Sequence, residues 1–171
     1  MTNISVDDRF WAKVDKTASC WNWTANTDTT GYGQFKVDGK QRKAHRIAFE
    51  MRFGSIPANR VLDHVCHNRA CVNPDHLRLV TTKQNAENLR GPQARSASGI
   101  RGVYKVPGSK TWRAILHHHG TRIHVGSFAT KEDADDAVRR KRNEVFTHND
   151  IDRIHEAVPT GAASLVQGER Q

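Results

Sequence analysis

The chain has 171 residues, with 27 Lys and Arg against 18 Asp and Glu, a formal charge of +9, a pI near 9.9 and 36% hydrophobic residues. That length and low apolar content argue against one large core and suit two small domains, at least one of them stapled. The basic excess points to a polyanion, nucleic acid ahead of an anionic membrane surface, and the lack of a run of about eighteen apolar residues excludes a spanning helix.

The opening stretch "MTNISVDDRFWAKV" has neither a basic n-region nor an apolar h-region, so an intracellular protein is expected. Three cysteines cannot all pair within one chain, and in a reducing compartment clustered Cys and His read first as metal ligands. "GYGQFKVDGKQRKAHRIAFEM" predicts a strand, a turn at Asp38 and Gly39, and a helix from Ala44 with Ile47, Ala48 and Met51 at helical spacing. "HLRLVTTKQNAENL" predicts a short strand and then a helix with Thr81 as N-cap and Gln84 three residues on, which puts Asn85 in its first turns.

"RGPQARSASG" interrupts every period and reads as a linker. Beyond it "GVYKV", "TWRAILHHH" and "RIHVGSF", separated by Pro-Gly-Ser and Gly-Thr turns, predict a three-stranded antiparallel meander. "TKEDADDAVRRKRNEVF" predicts a helix capped by Thr130, with Ala134, Ala137, Val138, Val145 and Phe146 as the stripe that packs on the sheet. From Asn149 onward no period is visible, and a flexible tail is expected.

The chemistry concentrates in "LDHVCHNRACVNPDHL". Cys66, Cys71 and His76 are spaced so that a loop can wrap them around one tetrahedral ion. Cys20 in "ASCWNW" fills the fourth place if the N-terminal segment folds back, giving a closed and therefore structural Cys₃His zinc site. His64 and His67 remain. His64 follows Asp63 at the end of an apolar run, and a neutral imidazole can take a proton from water in phosphodiester hydrolysis. Such hydrolysis also needs a hard divalent ion, for which Asp63 and Asn85 are the oxygen donors at hand.

"DH" ending a strand, "HL" in a second strand and "TTKQN" in a helix resemble the HNH nuclease motif of the ββα-metal superfamily. The spacing of His64, Cys66, Cys71, His76 and Asn85 resembles that of His-Cys box and related HNH homing endonucleases, and the likeness takes in "CWNW", "GYGQF" and "AHRIAFE". The resemblance implies His64 as general base, Asn85 as ligand of a catalytic Mg²⁺ (or Mn²⁺), and Cys20, Cys66, Cys71 and His76 around structural Zn²⁺. Asp63 matches the second metal ligand of members carrying an Asp-His pair, Arg46 a phosphate- or leaving-group-stabilising base, and His45 a support of the fold or a DNA contact. It also implies 5′-phosphate and 3′-hydroxyl products.

Residues 99–130 hold Arg101, Lys105, Lys110, Arg113 and Arg122 and no acid, so one sheet face should be positively charged and suited to a DNA groove. "RGVY", "RIHVGSF" and "TKEDADDA" resemble the Apetala-two, or ethylene-response-factor-type, DNA-binding domain. That likeness places Arg101 and Arg122 on DNA-contacting arginines, and Tyr104, His117 and His124 where plant members place arginine or tryptophan. Trp112 and Arg113 are candidates on chemistry alone, and strand alternation allows one of them, not both, to face the groove.

The expected class is α+β: a zinc-stabilised ββα-metal nuclease domain at 1–90, a linker at 91–98, a small three-stranded sheet-plus-helix domain at 99–148, and a flexible tail at 149–171. The expected function is a homing-type endonuclease acting on double-stranded DNA, with no membrane partner. A non-catalytic zinc-containing DNA-binding regulator and a restriction-type HNH nuclease are its rivals. A monomer with one His64 would nick, whereas a two-fold dimer would set two active sites across the duplex.

Overall fold

The structure, a computed structural model, describes residues 5–89, 91 and 96–156. The chain divides between Ala86 and Glu87 into two compact units.

The first unit begins with α1 (Val6–Trp11), whose N-cap Ser5 accepts a hydrogen bond from the Asp8 amide while Asp7 and Asp8 sit in the first turn. The helix buries Phe10, against which the rings of Trp23 and Phe35 pack at 5.1 and 5.2 Å. Strands β1 (Val14–Lys16) and β2 (Trp21–Trp23) pair antiparallel. So do β3 (Gln34–Val37) and β4 (Lys40–Lys43), through the expected turn in which Asp38 and Gly39 both have positive φ, 48° and 76°. Gly33, just before β3, is required by close approach, since a Cβ there would lie 2.6 Å from Cγ of Trp23.

Helix α2 (Ala44–Phe53) follows directly and buries Ala44, His45, Ile47, Ala48 and Phe49. Met51, expected on its apolar stripe, is instead exposed. Strand β5 (Val61–His64) pairs antiparallel with β6 (Leu77–Val80), and α3 (Thr82–Glu87) completes a strand-strand-helix run. The capping box at α3 is reciprocal: the Thr81 amide donates to Oε1 of Gln84 at 2.8 Å, and the Gln84 amide donates to Oγ1 of Thr81 at 3.2 Å.

In the second unit, β7 (Val103–Lys105), β8 (Trp112–His118) and β9 (Thr121–Phe128) form the expected meander, in order β7-β8-β9. Helix α4 (Lys131–Val145), capped by Thr130, lays Ala134 and Val138 on Val103, Ala114 and Leu116, with Phe146 closing the core.

Three expected boundaries are corrected. The first domain ends earlier than residue 90, because Glu87 and Asn88 are buried in the second unit. The Glu87 carboxylate accepts from the amides of Thr147 and His148, and Asn88 Oδ1 from the amide of Asp150. The end of the expected linker is a folded turn in which Ser98 Oγ donates to the Val103 carbonyl at 2.6 Å. The expected tail starts with a helix, α5 (Asp150–Glu156), held where buried Asp152 pairs with buried Arg142. Arg90 and residues 92–95 of the linker, and 157–171 of the tail, lie outside the described residues.

Candidate functional site

The loop between β5 and β6 is built by backbone bonds to β2. The Val72 amide donates to the Trp21 carbonyl at 2.7 Å, the Trp23 amide to the Ala70 carbonyl at 2.9 Å, and Asn22 pairs with Cys71 in an isolated bridge. This stitching carries Cys20, the residue before β2, to the loop's cysteines. The ligand atoms of Cys20, Cys66, Cys71 and His76 all lie within 4.8 Å of one another, and Nδ1 of His76 stands 3.7 Å from Cys20 Sγ and 3.6 Å from Cys71 Sγ. A tetrahedral zinc with bonds of about 2.0–2.3 Å sets its ligand atoms roughly 3.5–3.8 Å apart, so the donor set fits that ion.

Electrostatics favour a cation here as well. Burial, with the neighbouring thiols adding, pushes the Cys71 thiol up to about 12. Burial also raises Cys66. In Cys20 burial is outweighed by hydrogen bonds from Asn68, Cys71 and Cys66, and its thiol is lowered. A bound divalent ion deprotonates coordinating thiols outright and removes this conflict.

Asn73 is a functional residue that the sequence reading missed. It is 7% exposed, its Oδ1 accepts from the Asp75 amide at 3.1 Å, and its Nδ2 donates to the Ser19 carbonyl at 3.2 Å. It thereby caps the 3-10 turn at Pro74–His76 that aims His76 into the cluster. The signal was legible in "NPD", since Asn before Pro initiates such a turn.

His64 ends β5 and is 6% exposed. Its Nε2 lies 3.0 Å from the Cys71 carbonyl oxygen, which can only accept, so Nε2 carries the proton and Nδ1 the lone pair. Burial lowers its pKa from the usual 6.5, offset in part by the carbonyl bond and Asp63. Asp63, also buried, faces Arg78 across the β5–β6 ladder, and its Oδ2 accepts from Nε at 2.9 Å and Nη2 at 2.8 Å. Asn85 is half-buried in α3, its amide donating to the Thr81 carbonyl. Arg46 is half-buried in the first turn of α2.

Two aromatic residues border His64. The His45 ring lies 4.9 Å from it and the Tyr32 ring 5.8 Å, while Tyr32 and His45 are 5.1 Å apart. Tyr32 is flanked by Lys43, paired with Asp28, and by Arg69, cations 5.4 and 5.7 Å from its ring. Burial, with His64, Arg46 and Lys43 adding, pushes His45 down to about 3, so this imidazole is uncharged at neutral pH.

In the second unit the face of the sheet away from α4 carries Tyr104 opposite Arg113, His117 opposite Arg122 and Ile115 opposite His124. Tyr104, Lys105, Arg113, His117 and Arg122 line a shallow concavity of about 410 Å³ there. Trp112 packs on the other side, against the core, with the Lys105 ammonium 4.6 Å from its ring. Of the two rivals, Arg113 is therefore on the open face. Arg101 is engaged within the second unit. Burial beside Arg142 lowers its pKa, and its guanidinium donates to the carbonyls of Glu87 and Leu89, both at 3.0 Å.

The sequence profile of the HNH endonuclease family matches residues 42–87. Protein 7.7 of Escherichia phage T7 is 38% identical over 78 residues, which is 44% of this chain and 60% of that protein. Protein 2.8 of the same phage is 32% identical over 89 residues, 50% of this chain and 60% of that protein. The uncharacterized gene 5.3 protein of Enterobacteria phage T3 is 32% identical over 73 residues, 39% of this chain and 69% of that protein. The chain thus spans 60% of the length of the two phage T7 proteins. No solved structure matches. No helix of the described residues is long and apolar enough to cross a membrane.

Proposed function

Because the chain belongs to the family of phage proteins that includes the gene 5.3 protein of Enterobacteria phage T3, and carries an HNH endonuclease domain at residues 42–87, we propose that it is a homing-type endonuclease hydrolysing double-stranded DNA inside the infected bacterial cell. The observation that carries this reading is His64 itself: a buried, uncharged imidazole whose Nε2 is tied to the Cys71 carbonyl, so that the basic nitrogen is Nδ1.

His64 accepts the proton of the water that attacks phosphorus, the bond from phosphorus to the 3′ oxygen breaks, and that oxygen takes a proton from solvent water, leaving 5′-phosphate and 3′-hydroxyl ends. Asp63 and Asn85 are the residues that would hold Mg²⁺ or Mn²⁺, since carboxylate and amide oxygens suit a hard cation. When bound, that ion supplies Lewis-acid stabilisation of charge on the phosphoryl and departing oxygens. Arg78 fixes the Asp63 carboxylate, and Arg46 offers positive charge to the phosphate. Cys20, Cys66, Cys71 and His76 would hold Zn²⁺ in a closed site that does no chemistry but keeps the Cys71 carbonyl under His64.

The second unit acts as an Apetala-two-type reader laid into a DNA groove. Its contacts come from Tyr104, Arg113, Arg122 and His124; Lys105, Trp112 and Arg101 are spent on the fold. Tethering cutter and reader in one chain raises the effective concentration of each at the site, so modest readout by both specifies a long target.

The test is a digest of phage and host DNA by zinc-loaded protein with Mg²⁺. Few, fixed cuts are expected. Many cuts that depend on base modification would establish the restriction-type nuclease instead, and binding without cleavage under Mg²⁺ or Mn²⁺ would establish the regulator.

A further inference from the structure

His45 is the buried group beside the active site that the chemistry above does not use. It is 8% exposed in the first turn of α2, and among the described residues its Nδ1 has no hydrogen-bond partner. A buried nitrogen left unpaired costs free energy that Phe at this position would avoid. The fold keeps the more costly ring 4.9 Å from His64 at an interplanar angle of 64°.

The position explains the expense. His64 is held near one end by its Cβ and near the other by the bond from Nε2 to the Cys71 carbonyl. Those two restraints leave the ring free to rock about the line between them, and Nδ1 lies off that line. Lateral packing by His45 and Tyr32 decides where Nδ1 points. Buried polar atoms without protein partners are ordinarily met by an oxygen from water or ligand.

Building on the nuclease reading, we infer that His45 is a positioning residue for the general base: its ring braces His64, and its Nδ1 is reserved for an oxygen, of water or of a DNA phosphate, that enters with the substrate. Displacing a reacting group by a fraction of its proper placement costs up to about 100-fold in rate. Loss of the nitrogen alone should cost roughly 10- to 100-fold.

The experiment compares wild type, His45→Phe and His45→Asn as full-length zinc-loaded protein, in single-turnover cleavage and in DNA binding. His45→Phe keeps a flat ring and removes the nitrogen. It is expected to retain zinc content within about two-fold while its rate at saturating DNA falls by the factor above. His45→Asn, which returns a polar atom near the place of Nδ1, should recover part of that loss and serves as the deciding variant if His45→Phe fails to load zinc. A His45→Phe rate within two-fold of wild type, or His45→Asn no faster than His45→Phe, overturns the inference. Nitrogen NMR of the His45 ring gives a reading that does not depend on cleavage. The Nδ1 resonance should shift when duplex DNA is added with Ca²⁺ in place of Mg²⁺, and an unmoved resonance refutes the inference. Wild type that binds DNA without cutting it would sink the nuclease reading separately, with the Nδ1 shift still deciding the role of His45.

Discussion

Removing zinc should unfold the first unit and spare the second. The four residues proposed as ligands bring residues 20 to 76 into one cluster, and the loop that carries three of them is otherwise tied to β2 by the backbone bonds of Val72 to Trp21 and Trp23 to Ala70 and the side-chain bond of Asn68 to Asn22. Such bonds contribute about 0.5–1.5 kcal/mol each. Structural zinc contributes about 10–16 kcal/mol in small zinc-binding peptides at neutral pH, against a total stability of about 5–15 kcal/mol for an ordinary domain. Losing the metal therefore takes the whole margin of a unit whose main core is seven residues centred on Phe10, Trp23 and Phe35. The second unit, with its own core of Val103, Ala114, Leu116 and Val138, holds none of these four residues. Tryptophan fluorescence separates the two, because Trp11, Trp21 and Trp23 lie in the first unit and Trp112 in the second. Chelation or Cys66→Ser should red-shift most of the emission while a melting transition for the second unit persists, and added zinc should reverse the chelated state. Zinc-free protein with native emission and an unchanged melting curve would refute the reasoning.

The pH dependence of cleavage follows from His64. A base must be neutral to act, and burial holds this one below 6.5, so the rate should rise with pH on an acid limb whose midpoint lies under 6.5. A midpoint above 6.5 contradicts the assignment. In the second unit, Arg142→Met strips buried Asp152 of its paired guanidinium and should cost about 3–5 kcal/mol, measured by urea denaturation; the double variant with Asp152→Leu should recover most of it. On the open sheet face, Arg122→Ala should reduce the slope of log affinity against log salt by about 0.9, the effect of one lost phosphate contact, as followed by fluorescence anisotropy. An unchanged slope would take Arg122 off the DNA backbone.

Much of this architecture was legible because local rules decided it. The Asp38-Gly39 hairpin, the reciprocal Thr81–Gln84 box, the Thr130 cap and the opposite facing of Trp112 and Arg113 in β8 each depend on a few adjacent residues, and each appears as read, whereas the irregularity where β8 pairs with β9 between Ala114 and Ile115 was not read. The convergence of Cys66, Cys71 and His76 was legible through spacing, with Cys20 as the long-range member because it was the remaining cysteine. What escaped depends on residues far apart in the chain. Asp28, Tyr32 and Lys43 converge beside His64 through the packing of β3 and α2, a relation that no spacing rule encodes. Arg101 looked like a surface cation until the carbonyls of Glu87 and Leu89 claimed it, and the helix after Asn149 exists because Asp152 finds Arg142.

The central claim is that His64 performs proton transfer in metal-dependent DNA hydrolysis, and single-turnover cleavage of supercoiled plasmid by wild type and His64→Ala tests it most directly. With zinc content equal in both, wild type should nick or linearise in Mg²⁺ and not in EDTA, and His64→Ala should be slower by about 10²–10⁴-fold, the usual contribution of a general base. Equal rates for the two proteins, or cleavage that persists in EDTA, would contradict the account.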